Sequence, residues 1–136
     1  MTIALENATI VIVEDDSSSY LATVDLLRME GVESVYGCNS GEEVMDLIGK
    51  LPKIDLFLLD IYMPGGTGYD IIKQIREHPN IKDSIVVALT ASVMYDDIRR
   101  MKEAGFDSII GKPVRPARFG SQVRKILDGE VLWDWR

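Results

Sequence analysis

Leu56-Phe57-Leu58-Leu59-Asp60-Ile61-Tyr62-Met63-Pro64-Gly65-Gly66-Thr67-Gly68 is the stretch that decides the fold. Four apolar residues end on one carboxylate, a Pro-Gly-Gly loop follows, and an amphipathic helix comes next. A short continuous apolar run bounded by turn residues reads as a strand buried on both faces, as in the middle of a parallel sheet. Asp60 then stands where the strand leaves the core, at the sheet edge where ligands collect in open α/β folds. Taken alone, such a carboxylate reads equally well as a turn residue or a helix cap.

Upstream, Thr9 to Val13 is a β-branched run that stops at Glu14-Asp15-Asp16, with Ser17, Ser18 and Ser19 as candidate caps for the next helix. That helix places Leu21, Val24 and Leu27 on one stripe and ends at Gly31. Glu33 to Tyr36 reads as a short strand, and Ser40 with Glu43 as a capping box opening a helix with Val44, Leu47 and Ile48 inside. The third strand is Ile54 to Asp60. Thr67 and Asp70 resemble another capping pair, before a helix with Ile71, Ile72 and Ile75 that ends at His78-Pro79-Asn80. Ser84 to Leu89 is a fourth strand ending on Thr90-Ala91-Ser92, followed by a helix from about Val93 to Ala104 closed by Gly105. A fifth strand, Asp107 to Gly111, runs into Lys112-Pro113. The last helix opens near Pro116 and buries Phe119, Val123, Ile126 and Leu127.

The alternation predicts an α/β fold, a doubly wound (βα)5 unit with a five-stranded parallel sheet and helices on both faces. The 136 residues make one domain, with a core of about 8–127 and a tail of 128–136. The Met1 start and the distinctive tail favour a complete chain. One cysteine, Cys38, excludes an intrachain disulfide, and no apolar run approaches a membrane span, so the cytoplasm is the default location. The net charge of −7 argues against direct binding of nucleic acid. Residues 1–90 carry −9 and residues 91–136 carry +2, a mildly basic C-terminal third that could be a partner surface or a solvated helix face.

The strand ends deliver Glu14-Asp15-Asp16, Asp60, Thr90 and Lys112. In the order 2-1-3-4-5 the first and third strands are neighbours, so their carboxylates converge. Such a cluster repels itself unless a cation sits within it, and an oxygen-only set partly open to water suits Mg²⁺. With a lysine and a threonine opposite, the natural guest is a phosphoryl group and Asp60 the nucleophile, giving an aspartyl phosphate. The metal and Lys112 would neutralise the equatorial oxygens, which Thr90 and the N–H of Ala91 would hydrogen-bond.

Glu14-Asp15, Asp60 with Met63-Pro64-Gly65, Thr90-Ala91 and Lys112-Pro113 together resemble the receiver domain of two-component response regulators, over about residues 8–127. The chain is most similar to stand-alone receivers of the CheY and DivK kind, with the Thr90-Ala91-Ser92-Val93-Met94 and Gly111-Lys112-Pro113 segments closer to DivK. The resemblance implies that Asp60 accepts a phosphoryl group from a phosphohistidine on a sensor kinase or phosphotransfer protein. It implies Mg²⁺ held by Asp15, Asp60 and the backbone carbonyl of Tyr62, with Glu14 acting through water, or Asp16 in its place. Lys112 would contact the phosphoryl group, a cis Pro113 would aim that lysine inward, and Thr90 would move towards the phosphate. Such a protein modifies itself and is not a turnover enzyme on an external substrate. Tyr62 and Ser92 occupy positions that tune hydrolysis in the family, and Pro64 and Gly65 would bend the chain clear of the metal. The surface of the fourth helix, fifth strand and fifth helix would switch for an unidentified downstream partner or a homodimer. On it fall Arg99, Arg100, Lys102, Arg115, Arg118, Arg124 and Lys125.

Rival readings fit less well. A haloacid-dehalogenase-type phosphatase needs a second Asp where this chain has Tyr62. A flavodoxin needs a phosphate-binding loop where Glu14-Asp15-Asp16 would repel phosphate. The alternative that keeps the fold is a pseudo-receiver serving only protein contacts. His78 reads as a surface turn residue and Cys38 as a thiol without redox role. Trp133 and Trp135 either cover the domain or dock on a partner. One position departs from the family: Ile109 stands where an aromatic switch residue is usual. The signal should therefore travel through backbone shifts at residues 90–95. NMR shift changes on phosphorylation are expected there, and changes centred on Ile109 with 90–95 silent would contradict this.

Overall fold

The computed structural model describes residues 3–63, 66–91 and 94–133, with backbone only at 63, 66 and 67. The expectations for the Pro64-Gly65 bend, the Thr67 cap, Ser92, a helix start at Val93 and Trp135 lie outside the described residues. Five strands, β1 (Thr9–Val13), β2 (Ser34–Cys38), β3 (Leu56–Asp60), β4 (Ile85–Thr90) and β5 (Ser108–Gly111), form one parallel sheet in the order 2-1-3-4-5. Five helices alternate with them: α1 (Ser17–Met29), α2 (Gly41–Ile48), α3 (Gly68–Glu77), α4 (Tyr95–Ala104) and α5 (Pro116–Leu127). No described helix is long and apolar enough to cross a membrane.

The unbroken apolar runs follow from burial on both faces. Val11, Phe57, Leu59, Val86 and Ile109 face α2, α3 and α4, whereas Ile10, Ile12, Leu58, Val87 and Ile110 face α1 and α5. Period-two alternation therefore divides β1, β3, β4 and β5 between two apolar layers, whereas the border strand β2 leaves Tyr36 and Gly37 exposed. The register pairs Val13 with Leu59 and Leu59 with Ala88, so the ends of β1, β3 and β4 lie side by side.

Three local expectations change. The cap of α1 is Asp16, whose carboxylate accepts from the Ser19 N–H at 3.1 Å and from the Ser19 hydroxyl at 2.7 Å. An acceptor-only carboxylate satisfies both donors at once, which a serine in that place could not match. Leu21 is 57% exposed, because the buried stripe of α1 runs through Thr23, Val24 and Leu27 and leaves Leu21 to one side. Strand β2 continues through Gly37 to Cys38, where Gly37 admits the Tyr20 ring: a Cβ there would lie 2.4 Å from it. The loop after Asp60 also holds an unforeseen antiparallel ladder, Tyr62–Met63 against Gly66–Thr67.

The end of α3 is tied down by a residue without sequence signal. Arg76 donates to the carbonyls of Lys82 and Ser84 at 2.8 and 2.6 Å, to that of Gly105 at 2.8 Å, and to the Asp107 carboxylate at 2.8 Å. The same Asp107 oxygen accepts from the Val86 N–H at 2.9 Å. One guanidinium thus joins α3, the approach to β4 and the turn into β5. Arg76→Ala should lower stability by about 2–4 kcal/mol in urea unfolding, and Arg76→Lys should recover less than half, because one ammonium cannot span the four acceptors.

Candidate functional site

Glu14 and Asp60 come together because β1 and β3 are parallel neighbours ending at the same level. Glu14 prolongs β1, its N–H donating to the Cys38 carbonyl at 3.0 Å, and is 5% exposed; Asp60 ends β3 and is 7% exposed. Asp15, one residue on, is exposed. Carboxylate oxygens of Glu14, Asp15 and Asp60 all lie within 4.8 Å of one another. Asp16, considered for the same cluster, is committed to capping α1.

Lys112 follows β5 and reaches across the strand ends. Its ammonium donates to Glu14 Oε1 at 2.6 Å and to Asp60 Oδ2 at 3.2 Å. Its backbone N–H donates to the Thr90 carbonyl at 2.9 Å, and the Lys112–Pro113 peptide is cis. Burial raises the Glu14 carboxyl above its ordinary range; the neighbouring Asp60 adds to this, while Lys112 opposes it. Burial alone would pull the Lys112 ammonium down, but the hydrogen bond to Glu14 and the charges of Asp60 and Glu14 together hold it up.

The second oxygen of Glu14 is buried and has no hydrogen-bond partner. A buried ionised oxygen without a donor is costly, and three carboxylates against one ammonium leave the cluster short of positive charge. Hard oxygen donors, one open to water beside two buried, are the ligand chemistry of a small divalent cation that keeps part of its hydration. The residues present therefore fit Mg²⁺.

Thr90 is buried at the end of β4, Ala91 beyond it is exposed, and Tyr62 is exposed with its N–H donating to Asp60 Oδ1 at 3.3 Å. Ile109, by contrast, is fully buried in the core. Gly68, which sequence reasoning passed over, sets the loop. Its N–H donates to the Ile61 carbonyl at 2.8 Å, and an added Cβ would lie 2.9 Å from the Asp60 carbonyl oxygen and 3.0 Å from the Ile61 Cα. The signal available was a glycine at the first residue of a helix immediately behind the carboxylate.

Beside the carboxylates, Tyr20, Gly37, Cys38 and Glu43 help line an open cleft of about 230 Å³. Burial, with a smaller push from Glu43, raises the Cys38 thiol to about 11. His78 lies in the turn after α3, its Nδ1 accepting from the Asn80 N–H at 3.2 Å, away from the carboxylates.

A family model described as the response regulator receiver domain matches residues 10–124. The two-component response regulator ORR7 of Oryza sativa subsp. japonica is 33% identical over 117 residues, covering 86% of this chain; the chain spans only 56% of that protein's length. The polar-differentiation response regulator DivK of Brucella anthropi is 29% identical over 119 residues, covering 88% of this chain and 95% of its own. A crystal structure from Chloroflexus aurantiacus assigned to a response regulator superposes with a TM-score of 0.81 at 32% identity, over 89% of this chain and 98% of that one. The receiver domain of a Pseudomonas aeruginosa sensor histidine kinase, crystallised with magnesium in its active-site cleft, shares the fold with a TM-score of 0.77 at 24% identity, over 90% and 98% of the two chains.

Gly68→Ala should displace the backbone of Asp60 and Ile61 and cost about 1–3 kcal/mol in urea unfolding. At pH 8 a thiol raised to about 11 is almost wholly protonated. Cys38 should therefore react with iodoacetamide on the order of a hundredfold more slowly than free cysteine, and faster as pH rises, since only the thiolate attacks.

Proposed function

Because the chain belongs to the response regulator receiver domain family, we propose that Asp60 accepts a phosphoryl group from a phosphohistidine on a sensor histidine kinase or phosphotransfer protein. The observation that carries this is the hold on Asp60: Lys112 bonds one carboxylate oxygen and the Tyr62 N–H the other, with Glu14 and Asp15 close by. A carboxylate used only as a turn or a cap has no reason to be buried beside two others.

The hydrogen bonds orient the Asp60 carboxylate at the mouth of the strand ends. Attack forms an O–P bond and breaks the P–N bond of the donor, whose imidazole leaves with the electron pair. Lys112 opposes the charge on the transferred oxygens, and the Thr90 hydroxyl and the Ala91 N–H supply donors to them. Asp15, Asp60 and the Tyr62 carbonyl would hold Mg²⁺, with Glu14 acting through water; when bound, the ion supplies charge neutralisation for the transferring group. Thr90 and the segment that follows carry the change outward, since Ile109 has no aromatic ring to turn. The acceptor catalyses its own loading and hydrolysis and acts within a phosphorelay.

Acetyl phosphate with Mg²⁺ should add one phosphoryl group to the wild-type chain, read by intact mass, and none to Asp60→Asn. Lys112→Ala should slow loading by about 10²–10³-fold, the scale of losing one charge-stabilising donor. A wild-type chain that takes up neither phosphoryl nor BeF₃⁻ would overturn the proposal.

A further inference from the structure

The fold carries its aromatic mass beside Ile109 rather than at it. Ile109 is fully buried and is held from outside by the tail that follows α5. Its N–H donates to the Leu132 carbonyl at 2.8 Å, and Trp133 packs on the same core layer, so that this tryptophan covers its own domain. A β-branched side chain enclosed in this way is a poor moving part. In the same layer, however, α3 contributes Tyr69, and the turn between α4 and β5 contributes Phe106. Their rings meet edge-on, with centroids 6.0 Å apart and planes at 89°. The Arg100 guanidinium of α4 lies 4.0 Å over the Tyr69 ring.

Tyr69 is tied to the carboxylate as well. It follows Gly68, whose N–H donates to the Ile61 carbonyl and whose approach to the Asp60 carbonyl oxygen leaves no room for a Cβ. The Tyr62 N–H bonds the Asp60 carboxylate itself. A shift of the Asp60 backbone therefore reaches the first turn of α3, where the ring is attached. The ring is not fully satisfied where it stands. Its hydroxyl is buried with no hydrogen-bond partner among the described residues, an arrangement that a small displacement improves. Burial pushes this hydroxyl's pKa up; Arg100 opposes the rise, while Tyr62 and Asp97 add to it. Groups from the loop after Asp60 and from α4 thus act on one side chain.

We infer that Tyr69 is an aromatic relay from α3: loading of Asp60 shifts the start of α3, the Tyr69 ring leaves its seat against Phe106 and Arg100, and the hold on α4 loosens. The inference rests on Asp60 being the phosphoryl acceptor, and it adds a route beside Thr90 and the segment after it. Two opposed contributions make the element bistable. The edge-on contact with Phe106 and the cation over the ring favour the seated state. The orphaned hydroxyl favours the state in which the ring has moved and water reaches it. By linkage, anything that alters the seat alters the affinity of the Asp60 site for a phosphoryl mimic.

The test titrates the full chain with BeF₃⁻ in the presence of Mg²⁺, reading occupancy by ¹⁹F NMR and the α4 response from the Ile98 and Met101 amides. Two variants change the seat in opposite directions and leave the fold intact. Tyr69→Phe keeps the ring and removes the orphaned hydroxyl, which favours the seated state. BeF₃⁻ should then bind about threefold more weakly, and the shifts of Ile98 and Met101 at equal occupancy should fall to about half. Arg100→Gln, at an exposed position of α4, removes the cation over the ring and should tighten BeF₃⁻ about threefold. A side chain with a merely structural role would not give affinity changes of opposite sign. Equal BeF₃⁻ affinity in all three chains would overturn the relay while leaving Asp60 as the acceptor, as would full Ile98 and Met101 shifts in Tyr69→Phe. Absence of BeF₃⁻ binding to the wild-type chain would overturn the acceptor reading and the relay together.

Discussion

One ammonium group holds the functional end of this molecule together. Lys112 lies between Glu14 and Asp60, two carboxylates that parallel pairing of β1 and β3 forces into proximity and that burial makes expensive. Their mutual repulsion is tolerable only while a cation stands among them. The constraint runs back into the fold, because Lys112 reaches the cluster from a backbone tied to the Thr90 carbonyl, itself at the end of β4. Four strands thus contribute to a site only a few ångströms across.

Much of this arrangement was legible beforehand, for a physical reason. A strand buried on both faces has nowhere to place a charge except its ends, so Glu14, Asp60 and Lys112 stood out against apolar runs. The strand order then brought them together without further information. What escaped was side-chain choice among equivalents. Asp16 could have joined the carboxylate cluster or capped α1, and only geometry shows it accepting both Ser19 donors. Leu21 had helical spacing with Val24, yet the stripe lies to one side of it. Arg76 carried no signal because its acceptors are mostly backbone carbonyls, which every residue has.

The surface basic residues teach a related lesson. Read as a charge cluster, they suggested a docking face held open for others, but several are engaged within the chain. Arg100 lies 4.0 Å over the Tyr69 ring, Lys102 sits over Trp133, and Arg124 pairs with Glu30 at 2.5 Å. The Tyr69 hydroxyl is buried without a partner, and its ring meets Phe106 edge-on. An aromatic and cationic layer therefore joins α3 to α4 in a protein whose β5 carries Ile109.

The covered edge of β5 also gives the sheet a direction. Among the described residues no strand pairs with the outer side of β2, the opposite border, whereas the tail stands across the other. Growth of sheets by stacking strand on strand across molecules needs two open borders, one to receive and one to offer. With a single border open, two copies could meet β2 to β2 and the pairing would close on itself. While Leu132 stays in place, the Ile109 N–H on the β5 border is not free to pair with a strand of another molecule.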